Sequence, residues 1–115
     1  MERRIIATFI ILFLCSCTPS TNNEQSTGKA HEASKIHVIQ IKQMKFEPAE
    51  INVRKGDKVR WINKDITNHD VTEESKKAWT SSPLSTGQSW TLVVTETVDY
   101  YCNLHQVMKG KIIVE

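Results

Sequence analysis

The chain has 115 residues, three of them cysteines, and a formal net charge of +2 from 15 basic and 13 acidic side chains. That length suits one small domain, and the nearly balanced charge argues against a nucleic-acid-binding surface. Three cysteines cannot all pair within the chain, and no Cys-x-x-Cys motif is present. Both observations argue against a disulfide framework, a zinc ribbon, a thioredoxin-type redox pair and c-type haem attachment.

The N-terminus has the pattern of a secretory signal. A positive segment, Met1–Arg4, precedes ten residues, 5–14, with a single polar side chain. A membrane-spanning helix needs about 20 apolar residues, so this run is too short to span and is typical of a signal peptide. The box Leu14-Cys15-Ser16-Cys17 resembles a bacterial lipoprotein cleavage site. We predict removal of residues 1–16 and lipidation of Cys17; the alternatives are an ordinary signal peptide or an uncleaved interfacial helix.

Residues 17–34 carry no large apolar side chain. Such a segment cannot bury enough surface to offset its ordering entropy, so we predict a flexible polar tether in which His31 is solvated. A flexible coil of this length would hold a domain roughly 20–25 Å from a membrane. The sequence thus predicts an exported domain on the periplasmic side of a bacterial membrane, anchored there by lipid.

Short runs of β-branched and aromatic residues recur from residue 35 to residue 115, separated by turn signals. No window sustains a helical period, although residues 70–77 are compatible with a turn or two of helix. Several short strands with regular turns predict an all-β domain, either a sandwich or a barrel. Residues 55–58 are typical of a hairpin-type connection. The predicted strands lie at 36–41, 51–53, 59–62, 90–94 and 111–114.

Aromatic side chains on the predicted strands are expected to fill the core. Trp79 lies in a polar segment and is either a core residue or an exposed contact for a partner. His37 stands at a strand start and is expected at the surface. The predicted core aromatics are Phe46, Trp61, Trp90 and Tyr100 or Tyr101.

Three sulfur and nitrogen ligands lie within seven residues near the C-terminus, at Cys102, His105 and Met108, and His69 offers a second imidazole. One cysteine, two histidines and a methionine form the ligand set of a blue-copper site. Structural zinc sites prefer four Cys or His ligands and do not use methionine. A Cys–His catalytic pair needs no methionine and explains less of the segment. The sequence therefore predicts a site for one copper ion that alternates between Cu(I) and Cu(II).

These segments resemble the cupredoxins, and within them the plastocyanin and amicyanin branch. The similarity covers most of the mature domain and includes Met44–Pro48, Val53–Asn63 and Tyr101–Val114. The two-residue gap from His105 to Met108 matches the short amicyanin-type loop. The resemblance implies a Greek-key β-sandwich whose copper ligands at one end are His69, Cys102, His105 and Met108.

The chain departs from the family pattern beside two of these ligands. Family members commonly place Pro before the upstream His and Asn after it, whereas Asn68 and Asp70 flank it here. The family Cys is commonly followed by Thr-Pro or Ser-Pro, whereas Asn103-Leu104 follows here. In the family, the Asn beside the His ties the two ligand loops together. We expect Asp70 and Asn103 to replace that link, with the carboxylate accepting from the amide.

The resemblance implies a one-electron carrier between a redox donor and a redox acceptor outside the cytoplasm, and not an enzyme. It also implies that His105 presents its ring edge at the surface among Leu104 and Val107, where electrons would enter and leave. Tyr101 would offer a second electron-transfer route to Cys102. One alternative is a lipoprotein that stores or delivers copper without electron transfer, and another is a metal-free interaction module. We expect a monomer with no nucleic-acid partner.

Overall fold

The computed structural model describes residues 32–115. The predicted signal peptide, the lipidation of Cys17 and most of the tether lie outside the described residues. Residues 32–115 form one compact unit. Within this unit no helix is long and apolar enough to cross a membrane. The strands of this part of the chain are β1 (Ile36–Lys42), β2 (Lys45–Glu47), β3 (Glu50–Val53), β4 (Lys58–Asn63), β5 (Thr72–Glu73), β6 (Ser89–Val93), β7 (Val98–Tyr101) and β8 (Lys109–Val114).

The strands form two four-stranded sheets, ordered β2-β1-β4-β6 and β3-β8-β7-β5. Each sheet is mixed, because β1 runs parallel to β4 and β3 runs parallel to β8, while the other pairs are antiparallel. This confirms the all-β Greek-key sandwich. The predicted hairpin at residues 55–58 is wrong, because the strands on either side of it belong to different sheets. The suggested helical turns at 70–77 are also absent: β5 and a turn occupy that segment.

The core lies between the sheets and follows the two-residue period of the strands. In β4, for example, Val59 and Trp61 are fully buried while Lys58 and Arg60 are exposed. Trp61 occupies the centre, with its ring 5.3 Å from Tyr100 between centroids. The predictions for Phe46, Trp61 and Tyr100 are confirmed by exposures of 2% or less. Trp90 is partly buried against the same cluster.

Trp79 also belongs to this aromatic cluster. Its ring centroid lies 6.2 Å from that of Trp61 and 5.6 Å from that of Trp90. The side chain is partly buried and packs against the core from the segment that follows β5. Of the two predicted roles, the structure therefore supports the core role.

A buried carboxylate ties together the end of the sandwich where β1 and β4 begin. Asp57 accepts hydrogen bonds from the main-chain N–H groups of Lys35 and Arg54, at 2.9 and 3.1 Å, and lies 2.8 Å from His37 Nε2. The hydrogen bond with His37 is the main cause that lowers the pKa of Asp57 to about 2. His37 is therefore a half-buried structural partner rather than a free surface residue.

Candidate metal centre

Cys102 and Met108 are brought together by the loop that joins β7 to β8. The loop turns twice, because His105 N–H donates to the Cys102 carbonyl at 3.2 Å and Met108 N–H donates to the His105 carbonyl at 2.9 Å. Cys102 N–H then donates to the Met108 carbonyl at 3.0 Å. The thiol is fully buried and the methionine is 2% exposed. These hydrogen bonds fold the loop so that Cys102, His105 and Met108 lie together at one end of the sandwich.

His69 lies at the same end of the sandwich, on the loop after β4. The buried side chain of Asn63 fixes the position of this loop. The fully buried Asn63 amide donates to the carbonyls of Thr67 and Leu84, at 2.8 and 2.7 Å. His69 and Leu84 exchange two main-chain hydrogen bonds, at 3.1 and 2.7 Å. Because an unpaired buried amide is costly, these bonds fix the loop and place the His69 ring within the core.

The thiol and the two imidazoles converge on one point. Cys102 Sγ lies 3.8 Å from Nδ1 of His69 and 3.8 Å from Nδ1 of His105. All three potential ligand atoms lie within 4.8 Å of one another. Two ligands at about 2.0–2.3 Å from a shared ion, at a trigonal angle, would lie roughly 3.7 Å apart. The three residues therefore fit a trigonal thiolate–imidazole site, with Met108 buried beside it.

Asp65 is a functional residue that the sequence did not reveal. Its Oδ2 lies 2.9 Å from Nε2 of His69, on the opposite side of the ring from the thiol. Both Asp65 oxygens also accept main-chain N–H groups of the β1–β2 turn, from Gln43 at 2.7 Å and Met44 at 3.0 Å. These two turn residues have φ of 53° and 59°. With Nδ1 on a metal, Nε2–H donates to Asp65, a partner that orients a ligating histidine.

Burial and hydrogen bonds have opposite effects on the pKa of Asp65. Burial raises its pKa, while the hydrogen bonds from Met44, Gln43 and His69 lower it, and the net result is a lowered pKa. The carboxylate form therefore faces His69. Asp65 lies four residues before His69 in the same loop, and the N–H groups of the β1–β2 turn hold its carboxylate there. That contact with the turn is distant in sequence, and the Asp65–His69 spacing does not by itself show that the two side chains meet.

The two ligand loops are joined by Asp70. Its carboxylate accepts the main-chain N–H of Asn103 at 2.6 Å and the Thr72 hydroxyl at 3.2 Å. Its own N–H points at Cys102 Sγ, at 3.4 Å. The expected link is therefore made by the main-chain N–H of Asn103, and the Asn103 side-chain carbonyl accepts the Tyr101 hydroxyl at 3.1 Å.

Replacing Asp70 with Ala is expected to weaken copper binding by about 10- to 100-fold, the usual cost of losing an outer partner of a metal ligand. The substitution frees the loop of Cys102 and His105 from the loop of His69. Affinity is measured by competition with a chelator of known strength. Asp70→Asn keeps Oδ1 as an acceptor and serves as the matched control with a smaller loss. Equal affinity for the Ala variant and the wild type would contradict the role of this link.

The outer surface of this end is apolar. His105 is half-buried, and its neighbours Leu104 and Val107 are 48% and 88% exposed. Ile66, from the loop that carries His69, is 95% exposed. Exposed aliphatic side chains in this number at one end of a small domain mark an interaction surface.

Tyr101 lies under a lysine on the neighbouring segment. Lys77 Nζ stands 4.6 Å from the centroid of the Tyr101 ring and contacts its hydroxyl. The tyrosine is consequently 7% exposed, although it follows the outward direction of its strand. Lys77 thus covers Tyr101, the residue through which a second electron-transfer route to Cys102 was predicted.

Comparisons with known proteins agree on one family. The Cupredoxin-like domain model matches residues 4–114. Amicyanin of Paracoccus denitrificans is 33% identical over 99 residues, covering 81% of this chain and 76% of that protein. Amicyanin of Paracoccus versutus is 26% identical over 102 residues, covering 84% and 77%. The Cu(I) structure of a Met-to-Gln variant of amicyanin superposes with a TM-score of 0.65 at 34% identity, covering 70% of this chain and 82% of that one.

Proposed function

This chain belongs to the cupredoxin-like family, and from that premise we propose that it carries single electrons on one copper ion held by His69, Cys102, His105 and Met108. The observation that carries the proposal is the convergence of Cys102 Sγ and two Nδ1 atoms at 3.8 Å. A thiolate, two imidazoles and a thioether suit both copper oxidation states, since sulfur favours Cu(I) and nitrogen accommodates Cu(II). A copper ion bound there supplies a one-electron couple.

The protein contributes a frame that is already in place. Asp65 orients His69, Asp70 joins the two ligand loops, and Asn63 fixes the loop after β4. Because Asn63 and Asp70 are buried, Asp65 is largely covered and all three are hydrogen-bonded, the donor atoms keep their positions when the charge at the site changes. The N–H of Asp70 points at Cys102 Sγ, at 3.4 Å, and helps to hold the sulfur in place. Small rearrangement favours fast electron transfer over tight, irreversible storage.

Electrons enter and leave at the apolar end of the domain. His105 is half-buried there while Cys102 is fully buried, so the imidazole is the ligand nearest to solvent. Leu104 and Val107 on either side of it offer a partner a surface from which water is easily displaced. The role is that of a carrier between a redox donor and a redox acceptor, not that of an enzyme.

We place this carrier outside the cytoplasm, attached to a membrane by lipid on Cys17. The support is the signal-like segment of residues 1–16, with its positive start, short apolar run and lipoprotein-type box. The polar residues 17–34 would then act as the tether between the lipid and the folded domain. Export is compatible with a single buried free thiol in the described part of the chain.

Copper titration tests the electron-carrier function. Addition of Cu(II) is expected to produce an intense visible band from thiolate-to-copper charge transfer and a narrow hyperfine splitting in electron paramagnetic resonance. The band should disappear on reduction and return on reoxidation over many cycles. His37→Gln is a control histidine substitution at the other end of the sandwich, and it should leave the spectrum unchanged. A colourless adduct that a mild chelator strips would indicate copper storage or delivery instead.

A further inference from the structure

The outer face of the first sheet combines basic and aliphatic side chains. Strand pairing aligns Ile36 of β1 with Lys58 of β4 and Val93 of β6, and the next outward row aligns Val38 with Arg60 and Thr91. Towards the metal end, Lys42 of β1 lies opposite Lys45 of β2 in the strand register. We call this surface the basic sheet face; it contains one acidic residue, Glu47, and its other members are Ile36, Val38, Gln40, Lys42, Lys45, Lys58, Arg60, Ile62, Ser89, Thr91 and Val93.

The positive charge on this face is largely unpaired. Within residues 32–115, Lys45, Lys58 and Arg60 form no ion pair, and only Lys42 has an acidic partner, Glu47 at 3.0 Å. Lys58 and Arg60 are also exposed. The sheet face is therefore a concentrated site of free positive charge on a chain with a net charge of only +2.

The outer face of the second sheet is the natural comparison. There Lys111 pairs with Asp99 at 3.4 Å, and Lys109 pairs with Glu74. Glu50 lies opposite Lys111 in the register of β3 and β8. Its positive charges thus have local acidic partners, so an electrostatic partner would prefer the first sheet.

Aliphatic side chains alternate with the charges on the basic sheet face. Ile36, Val38 and Val93 are 51%, 47% and 53% exposed, although strand residues of this kind are usually buried. They surround Lys58 and Arg60 through the cross-strand pairs. A surface that offers both basic groups and aliphatic groups matches the boundary of a bilayer, where anionic headgroups lie above acyl chains.

We propose that the basic sheet face rests on an anionic lipid surface. The chain enters the folded domain at Lys35, next to Ile36, so the predicted tether of residues 17–34 arrives at the edge of this face. A lipid on Cys17 would keep the face at high local concentration near the membrane. The proposal rests on the membrane location given above, and it does not depend on the copper site.

A second copy of the chain is a poorer occupant of the same face. A two-fold contact through it would bring Lys58 and Arg60 of one molecule against the same residues of the other. Like charges at an interface are unfavourable. An anionic surface, in contrast, complements every free charge on the face.

Docking through this face would orient the metal centre. The strands would lie along the membrane plane, and the ligand loops project from the ends of β4 and β7. His105 and its apolar neighbours would then point sideways along the membrane. In that orientation His105 faces redox partners that are embedded in, or attached to, the same membrane.

Vesicle binding tests the proposal on copper-loaded, unlipidated residues 32–115, a compact unit with the complete core. Co-sedimentation at low salt is expected with vesicles of phosphatidylcholine and phosphatidylglycerol, and not with phosphatidylcholine alone. Lys58→Gln with Arg60→Gln should weaken this binding about 30-fold, because each basic group near an anionic surface contributes roughly fivefold. Added salt should reduce wild-type binding by screening.

Lys76→Gln with Lys111→Gln is the matched control, since it removes the same charge elsewhere, and it should change binding by less than about twofold. An equal loss in both double variants would overturn the proposal, as would equal binding to the two kinds of vesicle. Binding of polyglutamate as tight as that of the anionic vesicles would assign the face to an acidic protein instead. The attachment of lipid is tested separately, by mass spectrometry of the peptide that contains Cys17 in the full chain.

Discussion

Replacing Cys102 with Ala is expected to abolish the intense visible band and the narrow hyperfine splitting of the Cu(II) form completely. The thiolate is the only sulfur anion among the converging donors, and its charge transfer to copper is the source of the band. Affinity for Cu(II) should fall by more than the 10- to 100-fold that loss of an outer partner costs. Absorption and electron paramagnetic resonance spectra of the copper-loaded variant provide the measurement.

Met108→Leu provides the matched comparison within the same loop. The axial thioether is a weak, long ligand, so its loss should leave the visible band in place and change the reduction potential. Both side chains are buried, and both substitutions keep an apolar group at the position. Survival of the band in the Cys102→Ala protein would refute the assignment of Cys102 as the copper thiolate.

Strands with a clear alternation of β-branched residues were predictable, and those without it were missed. β1, β3, β4, β6 and β8 were all predicted, and each contains aliphatic or aromatic residues that pack on the core. The missed strands β2, β5 and β7 have two to four residues with polar or charged members. β2 pairs with β1 across a short turn and β7 pairs with β8, while β5 pairs with the distant β7; in each case the pairing, and not a local run of β-branched residues, makes the segment a strand.

Glu73 of β5 illustrates why the local pattern fails. The residue is 5% exposed, and its carboxylate accepts hydrogen bonds from the Ser75 hydroxyl and from the N–H groups of Ser75, Lys76 and Ala78. The bond from the Ser75 hydroxyl is the main cause that lowers the pKa of Glu73 to about 2. Charged residues are usually exposed, and Glu73, on the edge strand β5, is stable in its nearly buried position because the following turn surrounds its carboxylate with donors.

The candidate copper ligands were predictable from the sequence, whereas the residues that support them were not. Cys102, His105 and Met108 share one short loop, so their chemistry and spacing are visible together in the sequence. Asp65 contacts His69 within the loop after β4, and Asn63 fixes that loop through the carbonyls of Thr67 and Leu84, but neither contact can be inferred from the types and spacing of the residues. Three-dimensional contacts define these supporting partners, and a single sequence contains no record of such contacts.

Trp61→Ala is expected to lower the free energy of unfolding by about 3–5 kcal/mol, the range for truncation of a large buried aromatic side chain. Trp61 is fully buried, and its ring contacts Tyr100, Trp79 and Trp90, with centroid distances of 5.3, 6.2 and 5.5 Å. No single neighbour can fill the space that it leaves. Since small domains are stable by roughly 5–15 kcal/mol, the copper-free variant should be close to unfolding. Urea denaturation followed by far-ultraviolet circular dichroism measures the change.

Trp61→Phe distinguishes the loss of packing from any loss of hydrogen bonding. Among residues 32–115 the buried Trp61 Nε1 meets no acceptor in good hydrogen-bond geometry, so the packing of the rings is the main contribution of the indole. Phe keeps an aromatic ring against Tyr100 and removes this buried donor, and its cost should be about 1–2 kcal/mol, an ordinary value for one substitution. Equal losses for Phe and Ala would show that the N–H group matters more than the packed rings. The packing argument requires the Ala variant to be the less stable of the two, because the cavity, and not the missing donor, sets the free-energy cost.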